Sequence, residues 1–258
     1  MTTTRREKGS SILRVLEIIE AVAQAGKPMT ATELARQLDI PKATGHRLIQ
    51  TLEQEGFLQT NMGGYVIPGD RLHKAALGVL YAGRYKAERR AILETLSREI
   101  GETCGLSIPD GMQMLYFDRV KTNWPLQINL AVGSHTPIWC TASGKLFLAS
   151  LPLAQRRRLV EKLSLERLAR NTLTDTGDLL NELETIEERQ FAVDNEEFID
   201  GMVACAVPIK DADGRFIASL FTHAPVIRCS LDDLCGFEPQ LRKAARDLED
   251  VIDVPEQG

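Results

Sequence analysis

The chain has 258 residues, of which 43% are hydrophobic, 26% charged and 5% aromatic. That length suits two domains with separate cores, and no apolar run approaches the ~20 residues of a membrane-spanning helix, so no membrane partner is expected. Formal net charge is −5, which excludes a chain that is basic throughout; residues 1–67 nevertheless carry eight basic and seven acidic side chains, leaving −6 for the remainder.

The first residues, MTTTRREKGSS, are polar and lack a hydrophobic signal core, so export is not expected. Ser10 and Ser11 can cap a helix with apolar positions Ile12, Leu13, Val15, Leu16, Ile18, Ile19 and Val22, stopped by Gly26 and Pro28. Thr30 or Thr32 can cap a short second helix, ELARQLD, with Leu34, Ala35 and Leu38 on one face. Asp39 and Ile40 turn the chain, and Pro41 suits the first position of a third helix that buries Leu48, Ile49 and Leu52 up to Gly56.

A short helix, a tight turn and a longer helix form a helix-turn-helix. The start of the second of the pair reads Lys42, Ala43, Thr44, Gly45, His46 and Arg47, residue types that meet phosphates and base edges. Gly45 costs about 1 kcal/mol relative to alanine inside a helix. Two readings stay open: close approach to DNA, which we favour, or a tight contact with the preceding helix. FLQTNMGGYVIPG then predicts a hairpin about Gly63-Gly64, so the whole reads as a winged helix that takes double-stranded DNA.

After Pro68-Gly69 a helix, an interruption near Gly83 and a second helix follow, a candidate connector and partner-subunit face. From residue 102 the pattern turns to strands. TCGLSI and MQMLYFDRV flank a Pro109-Asp110-Gly111 turn, and LQINLAV follows. TASGKLFLASL starts a helix, and LAQRRRLVEKL and DTGDLLNELETIEERQ give two more. MVACAVPIKDADGRFIASLFTHA is a hairpin about Asp213-Gly214, before a closing helix. Grouped antiparallel strands with flanking helices give α+β. Arg156-Arg157-Arg158 reads as a solvated face. The five cysteines (Cys104, Cys140, Cys205, Cys229, Cys235) are odd in number and lack metal-ligand spacing, which favours reduced thiols in a cytoplasm, with no metal and no cofactor.

Three passages in this order, ELARQLDIPKATGHRLIQTLEQEGFL, HTPIWCTASGKLFLASLP and DNEEFIDGMVACAVPIKDADGRFIASL, resemble the IclR family of bacterial transcriptional regulators over nearly the whole chain. The resemblance implies a winged helix over 1–68, a linker helix over 69–85 and a GAF-like effector domain over 86–258, assembled as a homodimer or homotetramer and controlled by a small metabolite. It also implies an effector pocket between the TASGK helix start and the sheet. Carried over residue by residue, that pocket involves Thr141, Ala142 and Ser143, whose free N–H groups favour a carboxylate, with Asp194 and the sheet positions Phe221 and His223.

This chain departs from the family pattern at several places. Trp139 replaces a frequent histidine and is expected to cover the ligand. Ala204 stands at a frequent cysteine, with Cys205 one place on and facing the other side of its strand. Phe221 and His223 replace frequent hydroxyl residues, so an aromatic or larger organic acid is expected in place of a glyoxylate-sized one. A redox-responsive regulator using Cys140 and, remotely, a thiol enzyme are the rival readings; His223 as a plain core residue is the bland one.

Overall fold

The structure, a computed structural model, describes residues 11–25, 27–82, 86–125, 128 and 130–252. Ser10, Gly26 and Gly83, read above as cap, stop and interruption, lie outside the described residues. Between residues 83 and 84 the chain divides into two compact units.

The first unit runs α1 (Ser11–Gln24), β1 (Met29–Thr30), α2 (Ala31–Gln37), α3 (Lys42–Gln54), β2 (Leu58–Thr60), β3 (Tyr65–Pro68) and α4 (Asp70–Ala82). Thr30 starts α2 through a capping box: its side chain accepts from the Glu33 N–H, and the Glu33 carboxylate accepts from the Thr30 N–H at 2.8 Å. Ile18, Val22, Leu34, Leu48, Ile49, Leu52, Leu58 and Val66 close one core; each such side chain contributes roughly 1.5–3 kcal/mol on leaving water. β1 adds to the wing hairpin, giving a sheet of order β1-β3-β2. Helix α4 packs with this unit through Arg71, which pairs with Glu55 at 2.9 Å and lies 4.5 Å over the Phe57 ring.

The second unit contains α5 (Lys86–Ile100), β4 (Thr103–Asp110), β5 (Gln113–Val120), β6 (His135–Pro137), α6 (Ala142–Ser150), α7 (Leu153–Val160) and α8 (Thr176–Arg189). The chain continues through β7 (Ala192–Asn195), β8 (Met202–Lys210), β9 (Phe216–Pro225), α9 (Leu231–Cys235) and α10 (Glu238–Ile252). One antiparallel sheet of order β6-β5-β4-β9-β8-β7 lies between two helical layers. Phe221, Ala204 and Ala206 pack toward α6 and α8, whereas Cys205 on the opposite face donates to the Leu234 carbonyl of α9. The fold is α+β, a winged helix followed by a GAF-like sheet flanked by helices.

Three local expectations are corrected. Pro109 and Asp110 do not turn but continue β4, paired with Met114 and Gln113. The described part of LQINLAV contains no strand, and the next one is β6, nearer α6. Arg156 is buried, not solvated: it pairs with Glu187 at 2.8 Å and donates to the Ala149 carbonyl, joining α7 to α6 and α8.

Candidate functional site

On α3 the exposed residues from Lys42 to Gln50 are Lys42, Ala43, His46, Arg47 and Gln50, while Thr44 is half-buried. Helical spacing puts Arg47 and Gln50 on adjoining turns of one face, and no acidic residue falls between 40 and 52. His46 Nε2 lies 3.2 Å from Thr32 Oγ1, tying the face to the start of α2. Sequence reasoning stopped at Arg47 and missed Gln50; continuing the spacing one turn would have found it. Gly45 corrects the reading favoured above. It is buried, and a Cβ there would stand 2.7 Å from the Ala35 Cβ, so the missing side chain serves α2–α3 packing and not an exposed approach.

In the second unit, Thr141 caps α6. Its Oγ1 accepts from the Gly144 N–H at 3.1 Å and donates to the Pro137 carbonyl at 2.7 Å. The N–H groups of Ala142 and Ser143, first in the helix, have no intrahelical acceptor. Gly144 lets the helix start sit on the preceding strand end: a Cβ would fall 2.4 Å from the Ile138 Cα. Register does the rest. Asp194 faces Ala204, and Ala204 faces His223, so the three share one row.

These elements enclose a cavity of about 10 Å³ lined by Thr141, Ala142, Ser143, Asp194, Phe221 and His223. Tyr116, Thr136, Phe198, Met202 and Ala204 complete the lining. Such a volume holds roughly one water molecule. Its walls carry buried polar atoms without partners: Thr136 Oγ1, Asp194 Oδ2 and both ring nitrogens of His223. Leaving such groups unpaired costs on the order of 1–3 kcal/mol each, so this concentration calls for a polar occupant, which a water molecule or a polar ligand group can supply. Burial pushes the Asp194 carboxyl up to about 7, against N–H donation from Glu197 and Phe198 to its Oδ1. Burial, with the Arg119 and Arg228 charges, holds His223 down to about 3. It is a neutral hydrogen-bonding group here, not the cation that a charge-assisted contact requires.

Trp139 is the one expected pocket residue that the cavity does not include. Its half-buried indole packs on the apolar cluster around α6 and α8, with its N–H buried and unpaired. Among the described residues no group of His, Cys, Asp or Glu is arranged to hold a metal ion, and no helix is long and apolar enough to cross a membrane.

Residues 11–61 match the IclR helix-turn-helix domain, and residues 84–250 match the bacterial transcriptional regulator IclR C-terminal domain. The chain belongs to the IclR family. A probable transcriptional regulator, SauR, of Cupriavidus necator is 37% identical over 240 residues, covering 93% of this chain and 95% of that protein. A crystal structure of a transcriptional regulator from Rhodococcus sp. RHA1, 27% identical, covers 93% of this chain and 97% of its own with a TM-score of 0.64. An IclR homolog from Microbacterium hydrocarbonoxydans, solved with 4-hydroxybenzoate, shares the fold at 23% identity and a TM-score of 0.62, covering 95% and 100% of the two chains.

As an IclR-family member the chain is a DNA-binding transcriptional regulator with a small-molecule effector domain, not an enzyme. Its thiols fit that reading. Burial raises Cys104 to about 12, and burial together with the Asp194 and Glu197 carboxyls pushes Cys140 well above the thiol range. Thiols so held stay protonated and unreactive, which weakens the Cys140 redox reading.

Proposed function

We propose that this regulator places α3 in the major groove of a near-palindromic operator, with two copies reading two half-sites, and takes an organic acid in the pocket of its second unit. The α3 face carries the first part: Lys42, Ala43, His46, Arg47 and Gln50 lie exposed together without an acid among them. Thr44 borders that face, and Gly45 supports it from within. Operator symmetry calls for a homodimer, or a homotetramer of two such pairs. Residues 69–85 are the covalent path by which the pocket acts on the DNA heads.

In the pocket, the Ala142 and Ser143 N–H groups take the ligand carboxylate. Asp194, which keeps its proton to about pH 7, donates from Oδ2, and neutral His223 adds a donor or acceptor. The expected preference for a large or aromatic acid finds no support in a cavity of about 10 Å³. Phe221 and His223 occupy space that a larger ligand would need. The controlled genes are expected to serve catabolism of the same acid.

Replacing Lys42 and Arg47 together by alanine tests the DNA reading by fluorescence anisotropy over a salt series. Loss of two phosphate contacts from each of the two copies lowers the slope of log affinity against log salt by about 3.6. Unchanged affinity and slope in a folded double variant would remove α3 from the operator. For the pocket, organic acids should raise the melting temperature of the full chain; a series in which none does so refutes the carboxylate assignment.

A further inference from the structure

A buried cation with no counter-charge among the described residues lies on the pocket face of the sheet. Arg119, on β5, is 5% exposed. Its Nη1 and Nη2 donate to the main-chain carbonyls of Leu130 and Ile128, and its Nε has no partner. The neighbouring carboxylate is already taken: Asp118 Oδ2 pairs with Arg89 at 2.9 Å, and Oδ1 accepts the Arg119 main-chain N–H. Lys145 and Arg156, the fully buried cations of this unit, each have a carboxylate, Glu197 at 2.5 Å and Glu187 at 2.8 Å. Among the described residues, Arg119 is held by neutral carbonyls alone. A buried charge so placed is costly without an anion.

Register fixes where it sits. Arg119 opposes Gly105, and Gly105 opposes Phe221, so Arg119 and Phe221 share a face across a residue with no side chain. A bulge between Leu106 and Ser107 brings Tyr116, three residues before Arg119, onto that face as well. Tyr116 and Phe221 line the cavity and stack with ring centroids 4.7 Å apart. Leu130, whose carbonyl Arg119 holds, packs on the apolar cluster that contains Tyr116, Ala142 and Phe221. The nearness also registers electrostatically, since the Arg119 charge is one cause of the neutrality of His223.

We propose that Arg119 is a second anion-binding position of the effector pocket, and that the effector is a short acid with two anionic ends. One end takes the Ala142 and Ser143 N–H groups; the other takes the Arg119 guanidinium, which exchanges carbonyl bonds for charge-assisted ones through Nε and Nη2. This rests on the carboxylate reading of the pocket and names the ligand class within it. A short diacid asks for less expansion of the cavity than an aromatic acid does, and no ring has to enter between Tyr116 and Phe221.

The test uses the full-length protein, with malonate and succinate set against acetate and propionate at matched ionic strength in a thermal-shift titration. For the wild type, a diacid should reach half-effect at about tenfold lower concentration than the monoacids. Arg119→Gln should lose that advantage while keeping the monoacid response, and Arg119→Lys should keep part of it. Equal wild-type responses to monoacids and diacids, or an advantage retained in Arg119→Gln, overturn the proposal. The wild-type comparison decides the case alone if the variant does not fold. If monoacids and diacids alike leave the melting temperature unmoved, the carboxylate reading fails first and this one falls with it.

Discussion

At Gly45, a methyl group in place of hydrogen meets the Ala35 Cβ, an atom with no rotamer by which to retreat. Alanine gains about 1 kcal/mol of helix propensity, but overpacking of this kind costs about 1–3 kcal/mol, and α2 and α3 have to part. Gly45→Ala should therefore melt the first unit at lower temperature, and Ala35→Gly in the same chain should recover part of the loss. A variant as stable as the wild type would show that the contact is soft. Asp194 and His223 make a different residue-scale case. Folded Asp194 keeps its proton to about pH 7 while the unfolded residue loses it near 3.8, so folding takes up a proton and stability falls as pH climbs between them. Folded His223 stays neutral down to about 3 while the unfolded residue protonates below 6.5, so its contribution rises with pH over that interval. Between 3.8 and 6.5 the two slopes oppose. Relative to wild type, Asp194→Asn should gain stability as pH rises from about 4.5 to about 8, and His223→Gln should gain as pH falls below about 6.5. Urea melts at several pH values check both signs.

At the scale of elements, Lys145 fastens α6 to the turn after β7 through Glu197, the pair lying almost entirely out of water. Lys145→Met leaves the Glu197 carboxyl buried without its cation, a loss of about 3–5 kcal/mol, whereas Lys145→Met with Glu197→Leu should cost much less. A denaturant series on the two variants distinguishes a pair that holds from one that merely fits. Elements of this kind were legible in proportion to how local their causes are. The Thr30 cap of α2, the Thr-led start of α6 and the Pro41 entry to α3 all lie within a few residues of what they determine. β1, two residues long, exists through its pairing with Val66 and Tyr65, and no periodicity announces it. Thr136 joins the pocket through a register set by Met114, and Tyr116 through a bulge that breaks strict alternation. Asp194, Phe221 and His223 were placed by resemblance, which carries long-range register that period-two reasoning cannot supply. Trp139 falls outside that cavity for the complementary reason. Its position before the helix was read correctly, but the side of the chain on which its ring packs is a tertiary fact.

Over the whole molecule, the apolar clusters fall within separate units, one around Ile18 and Leu34 and the other around Ile138 and Leu183. Calorimetry should resolve two transitions, each following its own ligand: operator DNA should move the transition of the first unit, and a pocket acid that of the second. A single transition moved by either ligand would mean that the cores melt as one. The close seat of Gly144 on Ile138 carries one consequence further. Any side chain at 144 would run into the Ile138 main chain, so the start of α6 lies directly on that strand end, and Lys145 binds the turn after Asp194 to the same helix through Glu197. Two walls of the pocket are therefore stops. On the same face of the sheet, the Arg119 guanidinium donates to the neutral carbonyls of Ile128 and Leu130, bonds that an anion can replace. With the Ala142 and Ser143 N–H groups at one end and the proposed Arg119 contact at the other, such a chamber works as a caliper, grading what enters by length before it grades by shape.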